Sequence, residues 1–228
     1  MTARPAAGGG RWVTVAPERL AGWIRGFAER HGAVEATSGP DLVRFAAADG
    51  SAAECHVPFP PLDLRDVPGD GAGGQEDAAG ALVAHARRSR TVGVLLVRLG
   101  GYAAGVFEGE RLVTSKVGSR LVHGRSAAGG WSQQRFARRR EKQSSEALAA
   151  AADVAARVLV PRAEGLDAVV LGGDRRAVEE LRGDRRLAPL FALEAGAFLA
   201  VPDPKLAVLE GTPALFRAVR IRVLDPEG

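Results

Sequence analysis

The stretch from Gln134 to Val160 constrains the fold more tightly than any other part of the chain. Turned by about 100° per residue, Phe136, Ala147, Ala151, Val154 and Val158 gather on one side, while Arg135, Arg138, Arg139 and Lys142 fall on the other. The pattern predicts one long helix that buries a single face in its domain and presents cations on the opposite face. Three apolar-rich segments precede it: Val92 to Leu99, Tyr102 to Phe107 and Arg111 to Val117, separated by turns containing Gly100-Gly101 and Glu108-Gly109. They read as an antiparallel meander, with a fourth short strand through Leu121 and Val122. After the helix, Leu166 to Leu171 reads as a buried strand. It leads through Gly172-Gly173-Asp174 into a helix from Arg175 to Arg182, with Asp174 near the N-cap. The tail Val219-Arg220-Ile221-Arg222-Val223 alternates strictly, which predicts a closing strand with one basic face.

The N-terminal part reads as a small α+β unit over residues 1–67. Trp12 to Val15 is apolar, and Pro17 suits the first turn of a helix in which Leu20, Trp23, Ile24, Phe27 and Ala28 repeat at helical spacing, with Gly32 as the stop. Extended segments follow near Asp41 to Ala46 and Ala53 to Phe59, with Asp49-Gly50 as the turn between them. Residues 68–80 are rich in Gly, Pro and Asp, as in a linker, and a helix is expected from Glu76 to Ser89. The domain boundary falls in that linker, so the second domain is expected to run over 81–228. The fold class is α/β (α+β) throughout.

Several function classes are excluded or weakened by composition. No run of eighteen apolar residues and no signal-peptide pattern at Met1 to Gly10 occur, which predicts a cytoplasmic protein without a membrane partner. Cys55 is the only cysteine, and His31, His56, His85 and His123 lack ligand spacing, so neither a disulfide nor a structural metal site is expected, and no cofactor. Arginine supplies 28 of the 31 basic residues, a bias that GC-rich coding alone can produce, so the net charge of +4 says little. Its distribution says more. From Arg111 to Gln143 there are nine basic residues and one acid, Glu141, net +8, which leaves the rest of the chain at net −4. That concentration is the footprint of a polyanion partner.

The charge surrounds a glycine-led loop, Arg125-Ser-Ala-Ala-Gly129-Gly130-Trp131-Ser132-Gln133-Gln134. Gly129 and Gly130 let backbone approach a ligand closely, and Trp131 beside arginines is a combination that stacks on unpaired nucleic acid. The bland alternative is a surface loop followed by a solvated basic face. The glutamines sit where a rigid helix begins, which favours a positioned site over that alternative. The loop matches neither a P-loop nor a dinucleotide fingerprint. Ser115, Ser119, Ser126 and Ser132 have only His123 nearby and no nucleophile elbow. The aspartates Asp167, Asp174, Asp203 and Asp225 suit turns and caps better than a nuclease metal site, because the meander strands carry no Asp.

Ser119 to Gln143 resembles the actinobacterial branch of the Vms-like release-factor family, whose members are similar to the central domain of eukaryotic and archaeal peptide release factors. The resemblance covers roughly Thr91 to Leu224. It is carried by Gly130-Trp131-Ser132-Gln133, similar to the family's Gly-x-x-Gln loop, and by Leu166 to Leu181, similar to the strand and helix after the release factors' long helix. It implies a ribonuclease H-like mixed sheet with a long helix, and codon-independent hydrolysis of the peptidyl-tRNA ester on stalled large ribosomal subunits. On this reading Gln133 is the functional amide, with Gln134 as the register alternative. Gly129, Gly130, Trp131 and Ser132 shape the loop. Arg125, Arg135, Arg138, Arg139 and Lys142 hold tRNA and ribosomal RNA, with no role for DNA, and the protein is expected to act as a monomer. The sequence departs from the Gly-Gly-Gln of termination factors, and a non-catalytic RNA- or ribosome-binding module remains the competing expectation.

Overall fold

The computed structural model describes residues 4–6, 9–63, 75–98, 101–119 and 132–226, without the side chains of 75–76 and 132–144. Two compact units result: residues 1–88 with 214–228, and residues 89–213.

The first unit is a six-stranded antiparallel sheet with two helices. Its strands are β1 (Arg4–Pro5), β2 (Arg11–Val15), β3 (Val34–Ser38), β4 (Leu42–Ala47), β5 (Ala52–His56) and β10 (Val219–Leu224), in the order β1-β2-β10-β5-β4-β3. Helix α1 (Pro17–His31) has Pro17 at its start, where a missing N–H costs nothing, and ends at Gly32 with φ of +86°. Its buried residues Leu20, Ile24 and Phe27 follow the expected repeat. They pack with Ala78, Ala81, Leu82 and Ala86 of α2 (Gln75–Arg87) and with Val13, Val43, Phe45, Cys55 and Ile221 of the sheet.

Three features depart from the sequence reading. Strand β10 was expected to close the second domain, yet it lies inside the first unit's sheet, hydrogen-bonded to β2 and β5. Its apolar residues Val219, Ile221 and Val223 complete the core of that unit. Likewise α2 buries Ala78, Ala81, Leu82 and Ala86 there, so residues 75–80 of the expected linker are helix and the described part of 81–228 is divided between the units. The physical reason is that alternation fixes which face of a strand is buried but says nothing of its neighbours. Residues 68–74 lie outside the described residues. Strand β3, Val-Glu-Ala-Thr-Ser, escaped prediction because its inward positions are only half-buried.

The second unit holds a mixed four-stranded sheet, order β8-β7-β6-β9: β6 (Thr91–Arg98), β7 (Gly101–Glu108), β8 (Arg111–Ser119) and β9 (Ala168–Gly173). Strands β6, β7 and β8 form the expected meander, and β9 pairs parallel to β6 after the crossover through α3 (Ser132–Val158). Residues 92–97 of β6 are all buried, because both faces of the sheet are covered. On one face Leu95, Val97, Ala104 and Val106 meet Ala151, Val154, Ala155 and Val158 of α3. On the other, α6 (Leu206–Glu210) brings Leu209 against Gly105, where an added Cβ would stand 3.0 Å away. Helix α4 (Arg175–Leu181) follows β9, and α5 (Ala188–Ala192) is a single short turn; α7 (Pro213–Phe216), another short turn, falls in the first unit from Ala214 on. Asp174 caps α4 as expected, accepting from the Arg176 and Ala177 backbone N–H groups at 2.8 and 3.4 Å.

Candidate functional site

Helix α3 carries most of the candidate residues. Its C-terminal half is anchored by small residues: Ala151 and Ala155 are completely buried, which lets the helix backbone approach the sheet closely, and Leu159 just beyond is completely buried too. Arg186 ties the outer side of this half, donating to Asp153 at 2.8 Å and to Asp184 at 2.6 Å. Those carboxylate hydrogen bonds push the Arg186 guanidinium pKa up, and the Asp184 carboxyl is held below the usual range by Arg186. The first buried residue of α3 among those described is Ala147. At 1.5 Å per residue, Gln133 lies about 21 Å along the helix from that anchor.

The helix begins at Ser132, two residues earlier than its periodicity predicts, so Ser132, Gln133 and Gln134 stand in its first turn. Arg135, Arg138, Arg139 and Lys142 occupy the next turns of the same helix. Their side chains, and Arg125, Gly129, Gly130, Trp131 and the expected strand at Leu121 and Val122, lie outside the described residues.

The strand that feeds this segment is held in a way the sequence did not reveal. Tyr102 on β7 stands opposite Gly118 on β8, one residue before the last described position of the strand. A Cβ on Gly118 would come within 2.3 Å of the Tyr102 ring, so only glycine lets the ring lie across the strand end. The signal available was the glycine itself, which inside a strand marks close approach of another group.

A concavity of ≈ 330 Å³ is lined by Arg175, Arg176, Val178, Glu179, Arg182, Glu194 and Phe198. Within it Arg182 donates to Glu179 and Glu194, and Arg175 lies 4.3 Å from the Phe198 ring centroid. No group of three or more His, Cys, Asp or Glu residues able to hold a metal occurs among the described residues. No helix among them is long and apolar enough to cross a membrane.

The meander, the long helix and the strand and helix after it come in the order that the sequence resemblance implies. Residues 90–222 match the sequence profile of the Actinobacteria/chloroflexi VLRF1 release factors, and the chain belongs to that family. The match covers the whole of α3, β9 and α4 and ends within β10. Family membership supports a ribosome-associated role in translation termination or rescue.

The chain is also similar in structure to an archaeal translation termination factor, aRF1, at 17% identity and a TM-score of 0.42, covering 76% of this chain and 51% of that one. The Vms1 mitochondrial localization core matches at 10% identity and a TM-score of 0.40, over 89% of this chain and 80% of that one. Dom34 of S. cerevisiae, a translation termination-like factor involved in RNA quality control, matches at 8% identity and 0.34, over 92% and 65%. The chain thus spans about half the length of the archaeal termination factor it resembles. None of the curated proteins compared with it matches in sequence.

Proposed function

We propose that the protein is a codon-independent peptidyl-tRNA hydrolase acting on stalled large ribosomal subunits, with Gln133 as its working amide. A water oxygen attacks the carbonyl carbon of the ester between nascent peptide and tRNA. The bond to the 3′ ribose oxygen breaks, that oxygen takes up the proton lost by the water, and the products are a free peptide carboxyl and a tRNA hydroxyl. A glutamine amide is too weak a base to remove the proton itself. Its role is to orient the water, while backbone N–H groups of the Gly129-Gly130 turn help bind the developing oxyanion. Arg125, Arg135, Arg138, Arg139 and Lys142 hold tRNA and ribosomal RNA phosphates, and the remaining machinery is RNA. The protein works as a cytoplasmic monomer.

The observation that carries this reading is the start of α3 at Ser132, which puts Gln133 in the first turn of a helix anchored in the sheet, in a chain of release-factor family. An amide on a rigid element can be held at a fixed point; one in a free loop cannot. The test compares purified peptidyl-tRNA with the same peptidyl-tRNA bound to large subunits. Release from subunits with negligible hydrolysis of free substrate is expected. Equal hydrolysis of both would mean that the protein carries a complete active site and would overturn the proposal.

A further inference from the structure

The first unit's sheet has two unlike faces. One is covered by α1 and α2 and forms the core; the outward residues of the other lie in register across the strands. Arg4, Trp12, Arg222, Glu54, Arg44 and Thr37 stand side by side from β1 to β3. In the adjacent row Thr14, Arg220, His56 and Leu42 are neighbours.

These residues make an aromatic centre flanked by cations. The Trp12 and His56 rings lie with centroids 5.2 Å apart, and the Arg220 guanidinium sits 4.6 Å from the Trp12 ring centroid. Burial, and then the Arg220 charge, push the His56 pKa down, so the ring is neutral at pH 7 and can stack. Arg222 stands 3.7 Å from Glu54, which largely offsets that carboxylate. Arg4, Arg44 and Arg220 are exposed and form no ion pair among the described residues. Glu35 on β3 is the other carboxylate of this face among the described strand residues, so the face is net positive. At about 4.8 Å per strand, the row from Arg4 to Arg44 spans roughly 19 Å.

We propose that this open sheet face binds single-stranded RNA, with a base stacked on the Trp12–His56 pair and phosphates held by Arg4, Arg44 and Arg220. Aromatic rings on an open sheet accept unpaired bases of any sequence because every base has a π-face, and the surrounding arginines follow the backbone. A double helix hides its base faces, and an acidic peptide offers charge without a ring to stack, so unpaired RNA uses both halves of the surface. Apart from Arg220 and Arg222, the residues of this face lie outside the family-matched range.

The test uses the full chain with Arg135→Ala, Arg138→Ala, Arg139→Ala, Arg140→Ala and Lys142→Ala, which removes the cations of the helix's N-terminal half and leaves the sheet's residues unchanged. Anisotropy of a labelled uridine oligoribonucleotide of roughly a dozen nucleotides reads binding. Trp12→Ala is expected to weaken it about tenfold, and Arg44→Glu with Arg220→Glu at least as much, while Trp12→Phe stays within about threefold of the parent. Circular dichroism checks that each variant is folded, and the exposed arginine pair keeps the proposal testable if Trp12→Ala is not. Three outcomes would overturn it: no RNA binding by the background protein, loss with the arginines but not with folded Trp12→Ala, or displacement of the RNA by an equal concentration of oligoglutamate.

Discussion

Gly173→Ala is expected to unlatch β9 from β6. An added Cβ would stand 2.2 Å from the Val97 carbonyl oxygen, and Gly173 has a φ of +101°, a conformation that residues with a Cβ rarely adopt. The same oxygen accepts the Asp174 N–H at 2.8 Å, and Asp174 in turn caps α4, so the clash falls on the bond that starts the strand-to-helix turn. Forcing the backbone conformation costs about 1–3 kcal/mol, and losing one hydrogen bond adds about 1 kcal/mol, for a total near 2–4 kcal/mol. Gly165→Ala is the control, because nothing lies within 4 Å of its added Cβ and its φ is not positive; a change below about 0.5 kcal/mol is expected there. With two compact units, a single global transition is a poor readout. Hydrogen exchange at the β9 amides, followed by mass spectrometry, reports the second unit directly. For Gly173→Ala, protection in 168–173 should fall about 30- to 900-fold, the equivalent of 2–4 kcal/mol. Protection equal to that of Gly165→Ala would refute the argument.

Other outcomes follow from the same packing and charges. Ala151→Leu, at a position with no exposed surface against the sheet, should destabilise the second unit by about 1–3 kcal/mol through overpacking, read by the same exchange measurement. Cys55 is buried and its thiol pKa is pushed up by burial, so it should resist a thiol reagent in the native protein and react once urea unfolds the first unit. The Asp184 carboxyl is held low by the Arg186 side chain and then by its backbone N–H. Asp184 therefore contributes stability above the ordinary carboxylate pKa and loses it as pH falls through its own lowered value; urea midpoints for Asp184→Asn should trail the parent at pH 7 and converge with it in strong acid. Replacing Arg135 and Arg138 by Ala should reduce the slope of log binding constant against log salt for large subunits by about one per cation.

Much of the second unit was legible in the sequence because its signals are local. The apolar spacing of Ala147, Ala151, Val154 and Val158 identified the buried side of α3, the glycine turns separated the meander strands, and Asp174 announced its own cap. What escaped is what pairing over long separation decides. Val219, Ile221 and Val223 show that β10 has one buried face, but nothing in them says that β2 and β5 will flank it. Trp12 and Arg220 carry no signal as separate residues and become a cation–π pair only when those strands meet. The candidate site was read from a glycine-glutamine-arginine string, and the helix start two residues earlier than its periodicity indicates adds Ser132 and Gln133 to the rigid element.

The central claim is that one amide carries the release chemistry. Its most direct measurement is single-turnover release of nascent chains from stalled large subunits by wild type, Gln133→Ala and Gln134→Ala, with co-sedimentation to measure binding of each. The account predicts that Gln133→Ala binds as wild type and abolishes release, while Gln134→Ala releases close to normally. Full release by Gln133→Ala would contradict it, and undiminished release by both variants would leave the protein as an RNA-binding module with its chemistry elsewhere.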